Sequence, residues 1–270
     1  MPRPLKILKS IVEEDPSATH DRINELLGET IGVAEESLRH LATCLNVLTN
    51  KDRASEADQS IVDLGVRLWN DFRAANSLIR AGLYLQAMMM ERDAIEIMVL
   101  TEYLHTYPDD SRAWWKAETL RERRRFSINE LKDKVKDGKE WKAVWDWLSA
   151  YIHPNGQATP VYATSKPFYG HYLYLGGFYH PGSIATFFQI QLSMCIQFLQ
   201  SFISWYKDEL TFPTELQRKI EMLEEVYHNQ TDRLKERARS RQKAIDEVIE
   251  VTRLPKEEVI KMFKYLDTLP

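Results

Sequence analysis

The sequence predicts an all-α fold, a multi-helix bundle, from two observations. Glycine and proline are sparse, with 10 and 11 residues in a chain of 270, so little interrupts helix formation. Apolar residues also recur at spacings of three and four over long stretches, which is the period of an amphipathic helix. A hydrophobic fraction of 44% is that of an ordinary globular protein with a buried core.

The first three helices are predicted from their apolar stripes and from the residues between them. We expect one helix to begin after Pro16 and to end near Asn50, and a second to span about Glu56 to Arg80. A third spans about Leu83 to Tyr107. Gly82 separates the second from the third, which predicts a tight antiparallel helical hairpin.

Shorter helices are predicted after Pro108. Asp110 is suited to cap a short helix that carries Trp114 and Trp115. Residues 127–130 match a capping box, Ser-Ile-Asn-Glu, and predict a helix that Gly138 closes. The next helix, about Glu140 to Ile152, is rich in tryptophan and ends before Pro154.

Charge is missing from one long segment, because no Asp, Glu, Lys or Arg lies between Lys166 and Lys207. Its first part alternates aromatic and turn residues, and we expect a loop with a short β-hairpin over residues 172–179. Its second part, from Ser183 to Tyr206, predicts a central buried helix with one neutral polar stripe. Its glutamines and serines argue against a membrane span. The stripe contains Thr186, Gln189, Ser193, Gln197, Gln200 and Ser204.

The predicted organisation is an N-terminal tail (1–14), a helical body (15–210) with a loop insertion (155–181), and a long C-terminal helical extension (211–270). In the extension an apolar seam runs among charged residues. A seam of this kind needs a cover, which is either the helical body or a partner chain; a partner chain predicts a homo-oligomer through the C-terminal helix. The seam contains Leu216, Ile220, Leu223, Tyr227 and Leu234.

Composition also indicates compartment and partners. The start of the chain has no apolar leader, since charged residues interrupt it, so we expect a cytoplasmic protein with no membrane partner. Cys44 and Cys195 lie in apolar helical segments, which predicts reduced core residues. A net charge of −4 gives no global attraction to nucleic acid.

Only local clusters of basic residues offer a positive surface for nucleic acid. Arginines cluster at 121–125, and a second basic run covers 233–243. Acidic residues interleave both clusters, and the sequence shows no aromatic platform beside them. Two interpretations stay open: solvated helix faces, or surfaces that contact phosphates.

One charged pair stands out on the third helix, which is apolar almost all round. Arg92 and Glu96 lie four residues apart on one face, whereas Glu91 and Asp93 are expected to point to solvent. The pair is either a structural ion pair or part of a ligand pocket. A buried arginine needs several acceptors, so we expect it to meet the turn at His153.

The candidate site therefore combines that pair with the end of the Trp-rich helix. We take His153 and Glu96 as candidate catalytic residues, and Arg92, Ser149, Tyr151 and Asn155 as candidate binding residues. His153 either caps its helix or acts as a general acid or base. His171 and His180 join His153 at spacings that match no zinc motif, so we expect no metal site. We also expect no cofactor, since no phosphate-binding glycine loop is present.

Two stretches carry a family resemblance: Tyr84-Leu-Gln-Ala-Met-Met-Met-Glu-Arg92-Asp-Ala-Ile-Glu96 and Leu148-Ser-Ala-Tyr-Ile-His153-Pro-Asn-Gly156. They resemble bacterial helical proteins of unknown function related to HEPN domains, over about Glu56 to Tyr206. The resemblance implies a helical fold and a role near nucleic acid or host defence. HEPN ribonucleases carry an arginine followed by four to six residues and a histidine, and no arginine here has that spacing. The resemblance therefore does not imply ribonuclease activity.

Three functions follow as expectations. The first is a HEPN-like binding or regulatory module with a polar pocket. The second is an enzyme, such as a hydrolase or nuclease, that uses His153 as a base and Arg92 to hold an anion. The third is a structural oligomerisation protein.

Overall fold

The computed structural model describes residues 10–13, 16–152, 164–165, 172–175 and 181–225. Long helices dominate this part of the chain, and the predicted all-α bundle is confirmed. They are α1 (Pro16–Thr49), α2 (Glu56–Arg80), α3 (Tyr84–Thr106), α7 (Gly138–Ile152) and α8 (Pro181–Tyr206). Between α3 and α7 lie a 3-10 turn (Pro108–Asp110) and the short helices α4 (Ser111–Trp115), α5 (Leu120–Arg124) and α6 (Ile128–Leu131). A further helix, α9, is described over residues 214–225.

The core lies where α1, α2, α3 and α8 pack together, with α7 against α3. Its largest fully buried side chains include Phe72, Tyr84, Phe188 and Phe202. Burial of such apolar side chains is the dominant stabilising term in folding. The position of α7 on the flank of α3 decides which residues form the candidate site.

The turn between α2 and α3 confirms the predicted hairpin. Gly82 has a φ of 71°, a left-handed conformation that favours glycine. The Gly82 N–H donates to the Ile79 carbonyl at 2.9 Å, and the Leu83 N–H donates to the Leu78 carbonyl at 2.8 Å. These two bonds form a Schellman motif, which satisfies the last carbonyls of α2 and reverses the chain.

Helix caps differ from the prediction at three places, of which Ser127 and Gly138 are the first two. Ser127 makes no side-chain cap, because its carbonyl already accepts the Glu130 N–H at 2.9 Å in a tight turn. Gly138 begins α7 and does not close a helix. Capping boxes form instead at Ser55 with Asp58 and at Thr119 with Glu122.

Asp110 was expected to cap α4, and that prediction is wrong. Its side chain makes no cap bond. Instead its carboxylate accepts a hydrogen bond from the hydroxyl of Tyr103, a tertiary contact to α3 that periodicity in the sequence does not reveal. It fastens the 3-10 turn to the end of α3.

A small sheet accompanies the helices, with strands β1 (Ser10–Glu13), β2 (Thr164–Ser165) and β3 (Tyr172–Leu175). β3 lies in the centre, parallel to β1 and antiparallel to β2. The predicted hairpin over 172–179 is therefore wrong about the partner of β3. Residues 176–180 lie outside the described chain. The third strand stabilises the sheet, because a two-stranded hairpin alone is only marginally stable.

Helix α8 buries one face and exposes another. Phe188 and Met194 are fully buried, and Ile196 is 3% exposed, so the predicted central helix is confirmed on that side. The neutral stripe is not buried throughout, since Gln197 and Gln200 are exposed. No helix among the described residues is long and apolar enough to cross a membrane.

The two cysteines are free, as predicted, and both are buried. Cys44 lies on α1 and Cys195 on α8, two helices that pack together. Burial raises the pKa of each thiol to about 12. The thiols are therefore protonated at neutral pH and act as small apolar groups.

The apolar seam of the C-terminal region begins on α9. Leu216, Ile220 and Leu223 are each 4% exposed and pack on the helical body of the same chain. Tyr227 and Leu234 lie outside the described residues. The homo-oligomer therefore stays a prediction, and these three seam residues no longer support it.

Candidate functional site

The candidate site forms where the charged pair of α3 meets the Trp-rich helix α7. The guanidinium carbon of Arg92 lies 4.3 Å from the centroid of the Trp145 ring. The indole Nε1 of Trp145 donates a hydrogen bond to Glu96 Oε1 at 2.7 Å. One indole thus contacts both members of the pair, with its face toward the cation and its N–H toward the carboxylate.

The ion pair between Arg92 and Glu96 leaves the arginine incompletely satisfied. Arg92 Nη2 lies 3.5 Å from Glu96 Oε1, and the two side chains are 29% and 38% exposed. Arg92 Nε is buried and has no hydrogen-bond partner among the described residues. A guanidinium has five N–H donors, so this one retains capacity for an added acceptor.

A second cation flanks the same indole. Lys142 Nζ lies 4.9 Å from the Trp145 ring centroid and bonds both carboxylate oxygens of Asp146 at 2.5 Å. Trp145 is therefore in contact with two cations, each paired to one carboxylate. The arrangement is suited to hold an anionic group beside an aromatic surface, because guanidinium donors are matched to carboxylate and phosphate oxygens.

Ser149 lies one helical turn beyond Trp145. It is 7% exposed, and its hydroxyl has no partner in the part of the chain that the structure describes. Tyr151 lies in the last turn of α7, with its side chain outside the description. His153 and Asn155 lie outside the described residues, so the contact between Arg92 and the His153 turn stays a prediction.

Trp145 is the site residue that the sequence interpretation missed. A signal was present, because Trp141 and Trp145 are spaced four apart and so lie on one face of α7. Two indoles on one face offer a surface for a cation, and α3 carries Arg92. The sequence interpretation placed the meeting point of the two helices at the His153 turn and not at Trp145.

Glu91 corrects an expectation. It was predicted to be solvated, yet it is fully buried, and neither carboxyl oxygen has a hydrogen-bond partner among the described residues. It follows Tyr84, Ala87 and Met88 at helical spacing and lies on their buried face. Burial raises the pKa of its carboxyl well above the usual range, because the charged form loses its hydration and gains no hydrogen bond among the described residues.

A second carboxyl pair lies on the neighbouring surface of α2 and α3. Asp93 forms an ion pair with Arg67 and shares a hydrogen bond with Asp71. Burial, and then the charge and hydrogen bond of Asp93, raise the pKa of Asp71 to about 7. Two carboxyl groups so placed share a proton near neutral pH. The expectation that Asp93 points to solvent holds only in part, since its side chain is 32% exposed.

An exposed tryptophan precedes the basic cluster at 121–125. Trp115 ends α4 and is 55% exposed, and its indole N–H donates to Ser60 Oγ at 2.8 Å. Arg123 Nε donates to the carbonyl of Ala117, between α4 and α5, at 3.2 Å. The cluster's arginines are exposed, and no ion pair to them occurs within the described chain. Glu122 keeps its negative charge within the cluster, because hydrogen bonds from Thr119 and Glu118, with a smaller effect from the charge of Arg125, hold the pKa of its carboxyl below the usual range.

Among the described residues, no group of three or more His, Cys, Asp or Glu is placed to hold a metal ion. The three loop histidines lie outside that part. Comparison of the chain with known protein families, with curated proteins and with solved structures finds no match.

Proposed function

We propose that the protein is a HEPN-like helical binding or regulatory module whose α3–α7 site receives an anionic group of its ligand. The observation that carries the proposal is the state of Arg92. Its guanidinium stacks on Trp145, pairs at 3.5 Å with one carboxylate among the described residues, and belongs to a side chain that is 29% exposed. Glu96 fills only part of the five-donor guanidinium, so an oxyanion that approaches its exposed part finds further N–H donors.

Two further points favour ligand binding over catalytic turnover at this site. The enzyme alternative requires His153 as a base, and that residue lies outside the described chain. Glu96, the other catalytic candidate, already accepts the Trp145 N–H at 2.7 Å. This bond holds the carboxylate beside Arg92, which suits a residue that positions a cation.

The test is a titration of the full chain with inorganic phosphate and with pyrophosphate. Binding is followed by the indole N–H resonance of Trp145, assigned by its loss in Trp145→Phe. We expect a saturable shift for at least one anion, and at least a tenfold weaker affinity in Arg92→Met, since a charge-assisted hydrogen bond contributes about 1.5–3 kcal/mol.

The matched control is Arg73→Met. Arg73 stacks on Trp69 with its guanidinium carbon 5.2 Å from the ring centroid, so it loses a similar contact on another surface. Its anion affinity should equal that of the wild type. If neither anion moves the Trp145 resonance, or if both variants weaken binding equally, the anion site is refuted.

A second function, association with single-stranded nucleic acid, is favoured by the surface around Trp115. Residues 111–125 contain six basic and two acidic residues in a chain of net charge −4. Exposed arginines neutralise phosphates, and an exposed indole gives one base a stacking surface. Of the two interpretations left open by the sequence, this one gains from Trp115, whose exposure the sequence does not show.

Fluorescence anisotropy with a labelled oligo(dT) strand of about 20 nucleotides tests this second function. The double variant Arg121→Ala/Arg124→Ala should weaken binding and lower the salt dependence by about two charges. Trp115→Ala should weaken binding by about 1–3 kcal/mol with the salt dependence unchanged. Arg218→Ala, an exposed arginine on α9, is the control. A uniform loss in all variants, or no binding at low salt, contradicts the proposal.

A further inference from the structure

A groove lies between α3, the start of α7 and α8, away from Arg92. Its volume is about 360 Å³, within the range of small-molecule sites. At about 30 Å³ per water molecule, it has room for about a dozen waters, or about one to two sugar rings. The side chains that matter for its chemistry are Glu102, Trp141, Gln197, Ser201, Ser204 and Trp205.

One wall of this groove is the exposed face of the charge-free helix. Gln197, Gln200 and Ser204 are exposed and Ser201 is half-exposed, yet none carries a charge. The exposed positions of α9 next to it include Glu215 and Arg218. A solvated helix face ordinarily bears charged residues. Their absence here indicates a face that meets a neutral group.

Two indoles give the groove a firm apolar surface. Trp205 stacks on His105, with ring centroids 4.9 Å apart and an interplanar angle of 17°. Phe198 meets Trp205 edge-on at 6.0 Å. These contacts fix the orientation of Trp205, and Trp141 contributes a second half-buried indole. Indole faces attract the polarised C–H groups of a saturated ring, because the π-system is negative at its face.

Several polar side chains of the groove have hydrogen-bonding capacity left, as both donors and acceptors. In the described part of the chain, the side chains of Gln197, Ser201 and Ser204 make no hydrogen bond. Gln200 donates to Glu224 at 2.7 Å, which leaves its carbonyl oxygen available. Amides and hydroxyls both donate and accept, as the hydroxyls of a sugar do.

The acidic end of the groove excludes anions. The lining at this end has two carboxylates, Glu102 and Asp137, and one cation, Lys136. Glu102 accepts the Lys136 backbone N–H at 3.0 Å. A groove with this charge repels phosphates, so it does not extend the anion site at Arg92.

We propose that this groove binds a neutral saccharide of one or two rings. Ring faces pack on Trp141 and Trp205, and hydroxyls bond the neutral side chains of α8 and the carboxyl of Glu102. An extended peptide fits less well, because a groove walled by helices offers no unpaired strand edge to bond its backbone.

The test is a titration of the full chain with glucose, galactose, N-acetylglucosamine, maltose and cellobiose. Indole N–H resonances are followed, with Trp141 and Trp205 assigned by substitution to Phe. We expect at least one sugar to give saturable shifts of these two resonances, with that of Trp145 unchanged. If none of the five sugars shifts them, the proposal is overturned.

Two variants locate the binding. Gln197→Lys and Ser204→Lys place a charge on the exposed neutral face without touching the core, and each should weaken sugar affinity at least tenfold. Gln217→Lys makes the same change at an exposed position on α9 and should bind as the wild type does. Sugar binding that survives both groove substitutions, or that falls in Arg92→Met, places the sugar elsewhere and refutes the site.

Discussion

Arg92 of α3 and Trp145 of α7 are in face-to-cation contact, with 4.3 Å between the guanidinium carbon and the ring centroid. The contact joins two helices that are about fifty residues apart in sequence. It also holds Glu96, through the indole N–H. Removing the indole therefore affects an arginine and a carboxylate together.

A double-mutant cycle measures this contact. Arg92→Met and Trp145→Leu, alone and combined, should show a coupling of about 0.5–1 kcal/mol in the free energy of unfolding, the value of a partly exposed cation–π pair. Trp145→Leu should cost more than Arg92→Met, because it removes a half-buried indole together with the hydrogen bond to Glu96. Urea denaturation provides the measurement. Strict additivity of the two changes would show that the contact contributes no stability.

Local signals predicted most of the helical framework. The bounds of α2 and the reversal at Gly82 came from the spacing of apolar residues and from glycine chemistry, which act within a few residues. The Ser127 cap failed because the Glu130 N–H bonds to a backbone carbonyl, and the sequence does not distinguish that bond from a side-chain cap.

The side-chain contacts between helices were not predicted, although the hairpin of α2 and α3 and the approach of α3 to the end of α7 were expected. Helix α3 is apolar on nearly every face, so no polar face marked which side was solvated, and Glu91 was placed wrongly. Trp145 was missed because the expected contact of Arg92 lay at the His153 turn, further along the chain. The uncharged polar stripe of α8 is visible in the sequence, but such a stripe fits a buried helix face as well as the wall of an open groove.

Glu91 should make stability depend on pH. Burial raises the pKa of its carboxyl, so its contribution is full below the unfolded pKa of about 4.3 and is lost as pH rises toward the folded pKa. Glu91→Gln keeps a neutral side chain of similar shape. Its urea midpoint should lie near that of the wild type at pH 4 and above it at pH 8.

Glu130→Gln serves as the control for that measurement, because Glu130 is exposed. It should follow the wild-type curve at every pH. Asp71 contributes a slope of the same sign up to about pH 7, so Glu91→Gln makes the decline shallower and does not abolish it. An unchanged slope in Glu91→Gln would mean that Glu91 is ionised or hydrated in solution.

The contribution of Asp58 to stability should depend on pH in the opposite sense to that of Glu91. Burial alone raises its pKa, but hydrogen bonds from Ser55, Lys51 and Tyr206 outweigh burial and hold the pKa below the usual range. Its contribution is therefore present above the unfolded pKa of about 3.9 and is lost as pH falls through the folded pKa.

Asp58→Asn should destabilise the protein by about 2–3 kcal/mol at pH 7, since hydrogen bonds to a charged group contribute about 1.5–3 kcal/mol. The loss relative to wild type should shrink below pH 4. Asp52→Asn, which removes the same charge at an exposed position, should cost less than about 0.5 kcal/mol. Equal losses in the two variants, measured by urea denaturation, would assign the effect to net charge.

The buried face of α8 gives the sharpest contrast between neighbouring residues. Ile196 is 3% exposed and packs with Leu192, Leu223 and Val33, whereas Gln197 is exposed. Ile196→Lys places an ammonium where no acceptor replaces water, at a cost of several kcal/mol. A domain's whole stability is about 5–15 kcal/mol, so most molecules of this variant should lose the folded state or precipitate.

Gln197→Lys adds the same charge one residue away and should keep the wild-type melting temperature within about 2 °C, as surface substitutions cost little. Circular dichroism melts and soluble yield measure both variants. A folded Ile196→Lys protein with wild-type yield and melting temperature would show that α8 does not lie in the interior, and the core described around it would be incorrect.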